Sequence, residues 1–253
     1  MVSGGIKQKD DIERWKVKQS DHSIIPKHEV MKGYYADKLS AQQLRRCYEI
    51  APPRVQQYLE AEVKHVLQKI SAGDIVLELG CGYGRAMQAL ARKACWVFGI
   101  DTSLTSLLLG KKMFSGLSNI QLLQMDALQL AFQDEIFDQV VCVQNGISAF
   151  HVNQRDLIRE SIRVAKPGGT VLFSSYSDKF WEDRLAWFQL QSEAGLLGEI
   201  DRKKSRDGVI VCQDGFVAST VRPEQFRSLT EDLNVHINIV EVDESSLFCE
   251  IIP

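Results

Sequence analysis

The stretch VLELGCGYGR, residues 76–85, places three glycines on alternate positions directly after an apolar run. Gly80, Gly82 and Gly84 can adopt positive φ angles at little steric cost, and without a Cβ they let a ligand contact the backbone. In open α/β sheets, ligands bind beyond the carboxyl ends of the strands, where the next helix presents free N–H groups. The stretch therefore predicts a sharp turn from a buried strand into a helix, with a ligand lying against the turn.

Strands alternate with helices on both sides of this turn. Short continuous apolar runs predict parallel strands buried on both faces, and apolar residues at three- and four-residue steps predict the helices between them. The predicted strands are 74–80, 95–101, 120–126, 137–146 and 170–177. Two closing strands follow, joined at Asp243-Glu244. The pattern predicts an α/β fold with a doubly wound, mostly parallel seven-stranded sheet.

The chain of 253 residues is long enough for one large α/β domain with a well-buried core. We predict a single domain over 1–253, built from four parts. They are an N-terminal helical extension or lid (1–72), a ligand-binding core (73–177), an insertion after the fifth strand (178–220), and a closing helix and strand pair (221–253). Within the insertion we predict a hairpin that turns at Asp214-Gly215.

The composition is that of an ordinary globular protein, with 45% hydrophobic and 25% charged residues. A net charge of −3 provides no general attraction to nucleic acid or to an anionic membrane. No apolar run approaches the roughly 20 residues of a membrane helix, and residues 1–20 lack the apolar core of a signal peptide. We therefore expect a cytoplasmic protein that binds neither nucleic acid nor membrane.

The six cysteines form no C-x-x-C pair and have no zinc-like spacing with histidine, so we expect no metal site. Cys95 and Cys142 fall within apolar, strand-like runs. We expect both to be small hydrophobic residues of the core, in a reducing compartment.

The spacing of the glycines distinguishes two classes of adenosine-bearing ligand. The dinucleotide fingerprint is G-x-G-x-x-G, and its helix end holds a pyrophosphate. Here the order is G-x-G-x-G followed by Arg85, so the third glycine comes one position early. Glu78, two residues before Gly80, would repel a pyrophosphate and suits a cationic ligand such as an amino group or a sulfonium. The spacing favours an adenosine-bearing cofactor other than a dinucleotide.

With these residues in place, the chain resembles the class I S-adenosylmethionine-dependent methyltransferases, and among them the branch that acts on small molecules. ELGCGYG is similar to their first motif, E/D-x-G-x-G-x-G, and VFGID, MDA, FDQVVCVQN and KPGG are similar to later motifs in the same order. The similarity spans about residues 74–177. It implies a Rossmann-like methyltransferase fold, with S-adenosylmethionine as the cofactor and S-adenosylhomocysteine as its product.

The resemblance also implies which residues bind the cofactor. Asp101 matches the acidic residue that accepts both ribose hydroxyls, and Asp126 with Ala127 matches the pair that contacts the adenine edge. Two alternatives stay open, because Asp101 could cap the following helix and Asp126 could cap a turn. Tyr34 and Tyr35 lie where many small-molecule members have an N-terminal lid tyrosine, although packing on the edge of the sheet would account for them equally well. The full predicted set is Tyr35, Glu78, Gly80, Cys81, Gly82, Gly84, Asp101, Thr102, Asp126, Ala127 and Gln144.

The fourth motif indicates a small-molecule acceptor. Family members that methylate exocyclic amines of nucleobases or glutamine usually carry N-P-P-Y there, whereas this chain has Gln144-Asn145-Gly146-Ile147. We expect in-line methyl transfer, in which the protein aligns the reactants and excludes water. His151, a few residues after the fourth strand, is the candidate general base if the acceptor must lose a proton.

Four aromatic residues, Phe180, Trp181, Trp187 and Phe188, lie within nine residues just after the fifth strand. Burial alone would allow them to complete the main core. Chain inserted at the carboxyl edge of a doubly wound sheet must pass near the ligand crevice, however, so we predict that they cap a substrate site.

Two functions of other classes stay open on the sequence. One is a Rossmann-type NAD(P)-binding oxidoreductase, which the glycine spacing and Glu78 disfavour. The other is a protein that binds S-adenosylmethionine without catalysing a reaction.

Overall fold

A computed structural model of the chain describes residue 34 and residues 38–253. The predicted site residue Tyr35 lies outside the described residues. The strands are, in chain order, β1 (Ile75–Leu79), β2 (Trp96–Asp101), β3 (Ile120–Gln124), β4 (Phe137–Cys142), β5 (Ala165–Tyr176), β6 (Ile210–Val211), β7 (Val217–Ala218), β8 (His236–Val242) and β9 (Ser246–Ile252). The α-helices of the described residues are α1 (Gln42–Glu49), α2 (Pro53–Lys69), α3 (Met87–Ala91), α4 (Leu104–Met113), α5 (Gly146–Ala149), α6 (Gln154–Val164), α7 (Trp181–Glu193) and α8 (Pro223–Thr230).

Seven strands form one sheet in the order β3-β2-β1-β4-β5-β9-β8. The five strands from β3 to β5 run parallel, and β9 pairs antiparallel with both β5 and β8. The chain winds outward from β1 to β3 and then returns to place β4 on the other side of β1. The predicted doubly wound, mostly parallel seven-stranded sheet is confirmed.

Neighbouring residues of each strand enter different cores, because side chains alternate between the faces of a sheet. Leu77 and Phe98 belong to one apolar cluster, which α6 and α8 cover. Val76 and Val97 belong to another, which α2, α3 and α4 cover. The two clusters account for the continuous apolar runs in the sequence, since the central strands are buried on both faces.

Local signals start several of the helices. The Ser103 hydroxyl accepts a hydrogen bond from the N–H of Ser106 at the start of α4. The Asn153 side chain does the same for α6, where it accepts from the N–H groups of Arg155 and Asp156. α2 begins at Pro53, whose missing N–H costs nothing in a first helical turn.

Two strand boundaries differ from the predicted ones by more than two residues. β4 ends at Cys142 rather than at 146, because Gln144 and Asn145 adopt φ angles of 55° and 57° and turn the chain. β5 begins at Ala165 rather than at 170, because Ala165 already pairs with Phe137, ahead of a register shift between β4 and β5.

One of the cysteine predictions is wrong. Cys142 is 1% exposed and lies in the core, as expected. Cys95 is exposed, because it lies one residue before β2, where its N–H donates to the Asp74 carbonyl and its side chain faces solvent. The apolar run begins one residue later than the sequence suggested.

A third apolar cluster joins the N-terminal helices to the insertion. It contains residues of α1 and α2 together with Phe180, Trp187 and Phe188. It also contains residues of the predicted hairpin, which is present as β6 paired antiparallel with β7. Within the described part of the chain, no helix combines the length and the hydropathy needed to cross a bilayer.

Candidate functional site

A cavity of about 550 Å³ opens at the carboxyl ends of β1 and β4, where the order of the strands reverses. Such a switch point is where doubly wound sheets bind ligands, and the volume is that of a small-molecule site. Most of the predicted site residues line it: Glu78, Gly80, Cys81, Gly82, Asp101, Thr102, Asp126, Ala127, Gln144 and His151. Gly84 does not line the cavity.

Asp101 fastens the glycine turn to the end of β2. One of its carboxylate oxygens accepts from the Gly82 N–H at 2.8 Å, and the other accepts from the Ser103 N–H at 2.7 Å. Burial raises the pKa of this carboxyl above its ordinary value, and the two N–H bonds oppose that shift. Each oxygen keeps a second acceptor position, so the carboxylate can hold the turn and still accept from a ligand.

The three glycines all have positive φ angles, but a side chain at each position would meet a different neighbour. A Cβ on Gly80 would lie 2.4 Å from the Phe150 ring, and one on Gly82 would lie 2.9 Å from the Leu44 side chain. A Cβ on Gly84 would lie 2.5 Å from the Phe114 ring, outside the cavity. Gly84 is therefore required by packing, whereas Gly80 and Gly82 form part of the cavity wall.

Glu78 carries a buried oxygen that has no hydrogen-bond partner in the described part of the chain. The residue is 4% exposed, and burial raises its pKa to about 7, with Asp101 adding to the shift and Arg85 opposing it. A buried carboxylate in this state favours a cationic partner, because a nearby positive charge stabilises its ionised form.

Arg85 carries the complementary unpartnered atom. Its Nη2 is buried without a hydrogen-bond partner among the described residues, while its Nε donates to the Gln144 side-chain oxygen at 3.1 Å. Its guanidinium lies 5.2 Å from the centre of the Tyr48 ring. Arg85 was not among the predicted site residues, although its position directly after the glycine motif could have indicated it.

Gln144 is held in its left-handed conformation from behind. Its N–H donates to Glu62 at 3.0 Å, and its side-chain oxygen also accepts from the Tyr48 hydroxyl at 3.1 Å. Glu62 is fully buried, and its other oxygen accepts from the Ser246 hydroxyl at 3.0 Å. Burial raises the pKa of Glu62. One signal in the sequence could have indicated Glu62, because it is a carboxylate within the apolar face of α2.

Two other predicted residues, Cys81 and Asp126, differ in burial and in hydrogen bonding. The Cys81 thiol is buried, and burial raises its pKa well above the ordinary value, so it stays protonated. Asp126 is exposed, and one of its oxygens accepts from the Leu128 N–H at 2.8 Å, which is the turn-capping alternative. Its second oxygen makes no hydrogen bond within the described residues.

His151 lies at the rim of the cavity. The residue is exposed, and its φ of 53° makes it one of three residues with left-handed backbone between β4 and α6, with Gln144 and Asn145. Sparsely populated conformations of this kind tend to occur at functional sites. Among the described residues, no group of three His, Cys, Asp or Glu side chains has an arrangement that could hold a metal ion.

Aromatic side chains of the N-terminal helices, of β5 and of the insertion line another part of the cavity, here called the aromatic half. Trp187 and Phe188 of α7 are both 4% exposed and both line it. Phe180 is fully buried in the third apolar cluster, and Trp181 packs against that cluster without lining the cavity. Among the described residues, the aromatic half comprises Tyr34, Tyr48, Tyr176, Trp187, Phe188 and Phe216, whereas Tyr83 and Phe150 line the cavity at or beside the glycine turn.

Residues 76–169 match the family model described as a methyltransferase domain. The chain is 32% identical over 164 residues to a malonyl-[acyl-carrier protein] O-methyltransferase of Marinomonas sp., which covers 60% of this chain and 58% of that protein. It is 32% identical over 159 residues to a ubiquinone biosynthesis O-methyltransferase of Pseudomonas fluorescens, and that alignment covers 61% of this chain and 63% of that protein. The chain thus spans less than two thirds of the length of either relative.

The fold is also that of the N-methyltransferase NodS from Bradyrhizobium japonicum, solved in complex with S-adenosylhomocysteine. The TM-score is 0.57 at 17% identity, over 85% of this chain and 93% of the solved one. At that identity the likeness concerns the fold alone.

Proposed function

We propose that this chain, which belongs to the class I S-adenosylmethionine-dependent methyltransferases, transfers a methyl group from S-adenosylmethionine to a small molecule bound in the same cavity. One observation carries the proposal. Glu78 and Arg85 each present a buried polar atom without a partner in the described residues, their charges are opposite, and both line the cavity.

These two atoms fit the amino acid end of the cofactor. A buried charge without a partner is unfavourable by several kcal/mol, so each atom favours a ligand of opposite charge. The α-amino acid group of S-adenosylmethionine carries one ammonium and one carboxylate. We therefore assign the ammonium to Glu78 and the carboxylate to Arg85, which extends the predicted cofactor contacts by one residue.

The remaining contacts follow the order of the strand ends. Asp101 accepts the ribose hydroxyls with the acceptor positions that its two N–H bonds leave open. Thr102, Asp126 and Ala127 lie beside the adenine. At the glycine turn, the backbone of Gly80, Cys81 and Gly82 lets the cofactor approach closely.

S-adenosylmethionine supplies a methyl group on a positively charged sulfur, and the chain supplies alignment. The sulfur loses its positive charge when the methyl group is transferred, so the site does not have to stabilise a new charge on sulfur. A site that aligns the reactants and excludes water therefore favours the reaction. Trp187 and Phe188 exclude water from the acceptor side. His151 is the candidate base, because it lines the cavity and its exposure gives the proton a route to solvent.

The acceptor class is proposed from two observations, and the location from a third. The matched relatives are named for O-methyl transfer, which favours an oxygen acceptor on a small molecule. The net charge of −3 gives no attraction to nucleic acid. The six free cysteines suit a reducing compartment, which supports the cytoplasm as the location.

Calorimetric titration with S-adenosylmethionine, S-adenosylhomocysteine, NAD and NADP tests the proposal. We expect binding of the first two only, weakened by roughly 1.5–3 kcal/mol in Asp101→Asn, since a hydrogen bond to a charged group contributes about that much. Asp156→Asn, an exposed carboxylate of α6, is the matched control and should bind normally.

Binding of NAD or NADP instead would favour an oxidoreductase and exclude the proposal. Formation of S-adenosylhomocysteine with added acceptors separates a methyltransferase from a protein that only binds the cofactor. Unchanged affinity in Asp101→Asn would show that the ribose assignment is wrong.

A further inference from the structure

The aromatic half of the cavity presents ring surfaces, because several polar groups of its rings are already bonded to protein. The Trp187 Nε1–H donates to the Cys47 carbonyl at 2.9 Å. The Tyr48 hydroxyl donates to Gln144 at 3.1 Å, and the Tyr34 hydroxyl donates to a carboxylate of the β6–β7 turn at 2.5 Å. Phe188 and Phe216 have no polar group. A ligand on this side therefore meets a wall suited to stacking against a planar ring.

Positive charge lies behind that wall. Arg184 is 1% exposed, and its guanidinium lies 4.2 Å from the centre of the Tyr176 ring and 5.5 Å from that of Phe188. It donates to the carbonyls of Gly208 and Ala218. A ring that already has a guanidinium near it offers less attraction to a second cation in the cavity, and the two positive charges repel each other.

The carboxylates near this half are engaged elsewhere. Asp214 accepts from Tyr34 and pairs with Lys38 at 3.7 Å, and Glu62 is bonded through both oxygens. Among the described residues, the carboxylates that line the cavity are Glu78, Asp101 and Asp126, at the carboxyl ends of β1, β2 and β3. An ammonium group on the aromatic side would therefore be desolvated without a carboxylate from the described residues to compensate it.

Gln191 is the polar group left over on this side. It follows Trp187 by one turn of α7, is 3% exposed and lines the cavity. Its amide makes no hydrogen bond within the described residues. Because the amide lines the cavity, it can donate to and accept from a neutral polar substituent of a ligand.

We propose that the methyl acceptor is a planar, hydroxyl-bearing aromatic molecule rather than an amine, and that Gln191 hydrogen-bonds its polar substituent. The inference rests on the proposed function and names the substrate class of the same cavity. The acceptor oxygen forms a bond to the methyl carbon as the carbon–sulfur bond breaks. The electron pair of that bond stays on sulfur, and the hydroxyl proton passes to a base or to water.

Two probes with one skeleton test the charge preference. Protein saturated with S-adenosylhomocysteine is titrated calorimetrically with 2-naphthylmethanol and with 2-naphthylmethylammonium. We expect the alcohol to bind at least about tenfold more tightly, because the wall stacks either ring but the cation is repelled and desolvated. Equal or tighter binding of the ammonium probe overturns the proposal, and so does a lack of binding by both.

Variants of α7 test the polar contact. Gln191→Leu should weaken binding of the alcohol by about three- to tenfold, the loss typical of one neutral hydrogen bond. Gln189→Leu is the matched control, since this glutamine of the same helix bonds Glu193 at the surface. Gln191→Glu adds a carboxylate to the aromatic half and should shift the preference toward the ammonium probe.

The outcomes separate this inference from the proposed function. If the unaltered protein does not bind S-adenosylhomocysteine, the proposed function fails. If it binds S-adenosylhomocysteine but Gln191→Leu and Gln191→Glu bind both probes as the unaltered protein does, only the role of Gln191 is wrong.

Discussion

Glu78 couples ligand binding to pH at the scale of a single residue. Burial raises its pKa from the ordinary 4.5 to about 7, so the ligand-free folded state holds a proton that the unfolded chain releases. The raised pKa of Glu78 therefore adds to the free energy of unfolding. This stabilisation is complete below about pH 4.5 and is lost as the pH rises through about 7. A ligand ammonium requires the ionised carboxylate, so ligand affinity should change in the opposite direction.

We predict that the affinity for S-adenosylhomocysteine rises about tenfold between about pH 6 and about pH 8, as a carboxyl with this pKa ionises. Calorimetry at several pH values measures it. Glu78→Gln should bind more weakly at high pH and lose most of the dependence. The same slope in both proteins would assign the titration to another group.

A second prediction at this scale concerns Arg85 and compares two ligands, one with the carboxylate that we assign to Arg85 and one without it. Arg85→Gln should lower the affinity for S-adenosylhomocysteine at least about tenfold, because the ligand carboxylate loses a charged donor. Binding of 5′-methylthioadenosine, which has no amino acid group, should stay unchanged. Arg92→Gln, an exposed arginine just after α3, is the control.

If Arg85→Gln weakens both ligands equally, the residue acts by holding Gln144 and the turn at the end of β4. That role would act through the hydrogen bond from the Arg85 Nε to Gln144, and not through a contact between Arg85 and the ligand.

The helix α7 divides its aromatic residues between two tasks. Trp187 lines the cavity and bonds the Cys47 carbonyl of α1, so it connects the insertion to the N-terminal helices at the acceptor side. Trp181 packs against the third apolar cluster and does not line the cavity. The sequence places the two residues in one aromatic helix without separating these roles.

We predict that Trp187→Ala weakens 2-naphthylmethanol binding to the S-adenosylhomocysteine-loaded protein at least about tenfold, because the probe loses a stacking surface. The affinity for S-adenosylhomocysteine itself should change much less. Trp181→Ala should leave both affinities near those of the unaltered protein. Similar losses of probe binding in the two variants would mean that α7 acts through its stability rather than as a wall.

At the scale of the whole molecule, the third apolar cluster joins the N-terminal helices to the insertion, and both contribute residues to the cavity wall. Phe180 is fully buried and does not line the cavity, and its ring lies 4.9 Å from that of Tyr58 in α2. This contact joins the insertion to the N-terminal helices directly, whereas the sheet cores lie elsewhere.

We predict that Phe180→Ala lowers the free energy of unfolding by about 3–5 kcal/mol, the usual cost of deleting a buried phenylalanine ring. Urea denaturation measures it. In addition, limited proteolysis should cut within 178–220 before the core, because the insertion loses a contact with α2. Phe226→Ala, equally buried in a sheet core, should lower stability without that early cut. Digestion of Phe180→Ala at the same sites and rate as the unaltered protein would contradict the prediction.

The sequence by itself determined the sheet, the turn and most of the residues that line the cavity. Strand burial and helix faces follow from periodicity, and a glycine turn after a buried strand depends on local backbone geometry. The carboxyl ends of parallel strands meet at one edge, so Glu78, Asp101 and Asp126 could be brought together without coordinates.

Only the tertiary structure decided which side chains face each other across the cavity. The opposite unpartnered atoms of Glu78 and Arg85, the support of Gln144 by Glu62, and the packing role of Gly84 are examples. The acceptor half depends on contacts such as Trp187 with Cys47, which lie 140 residues apart in the chain. Periodicity fixes which face of a helix is apolar, but the packing of distant segments fixes what that face meets.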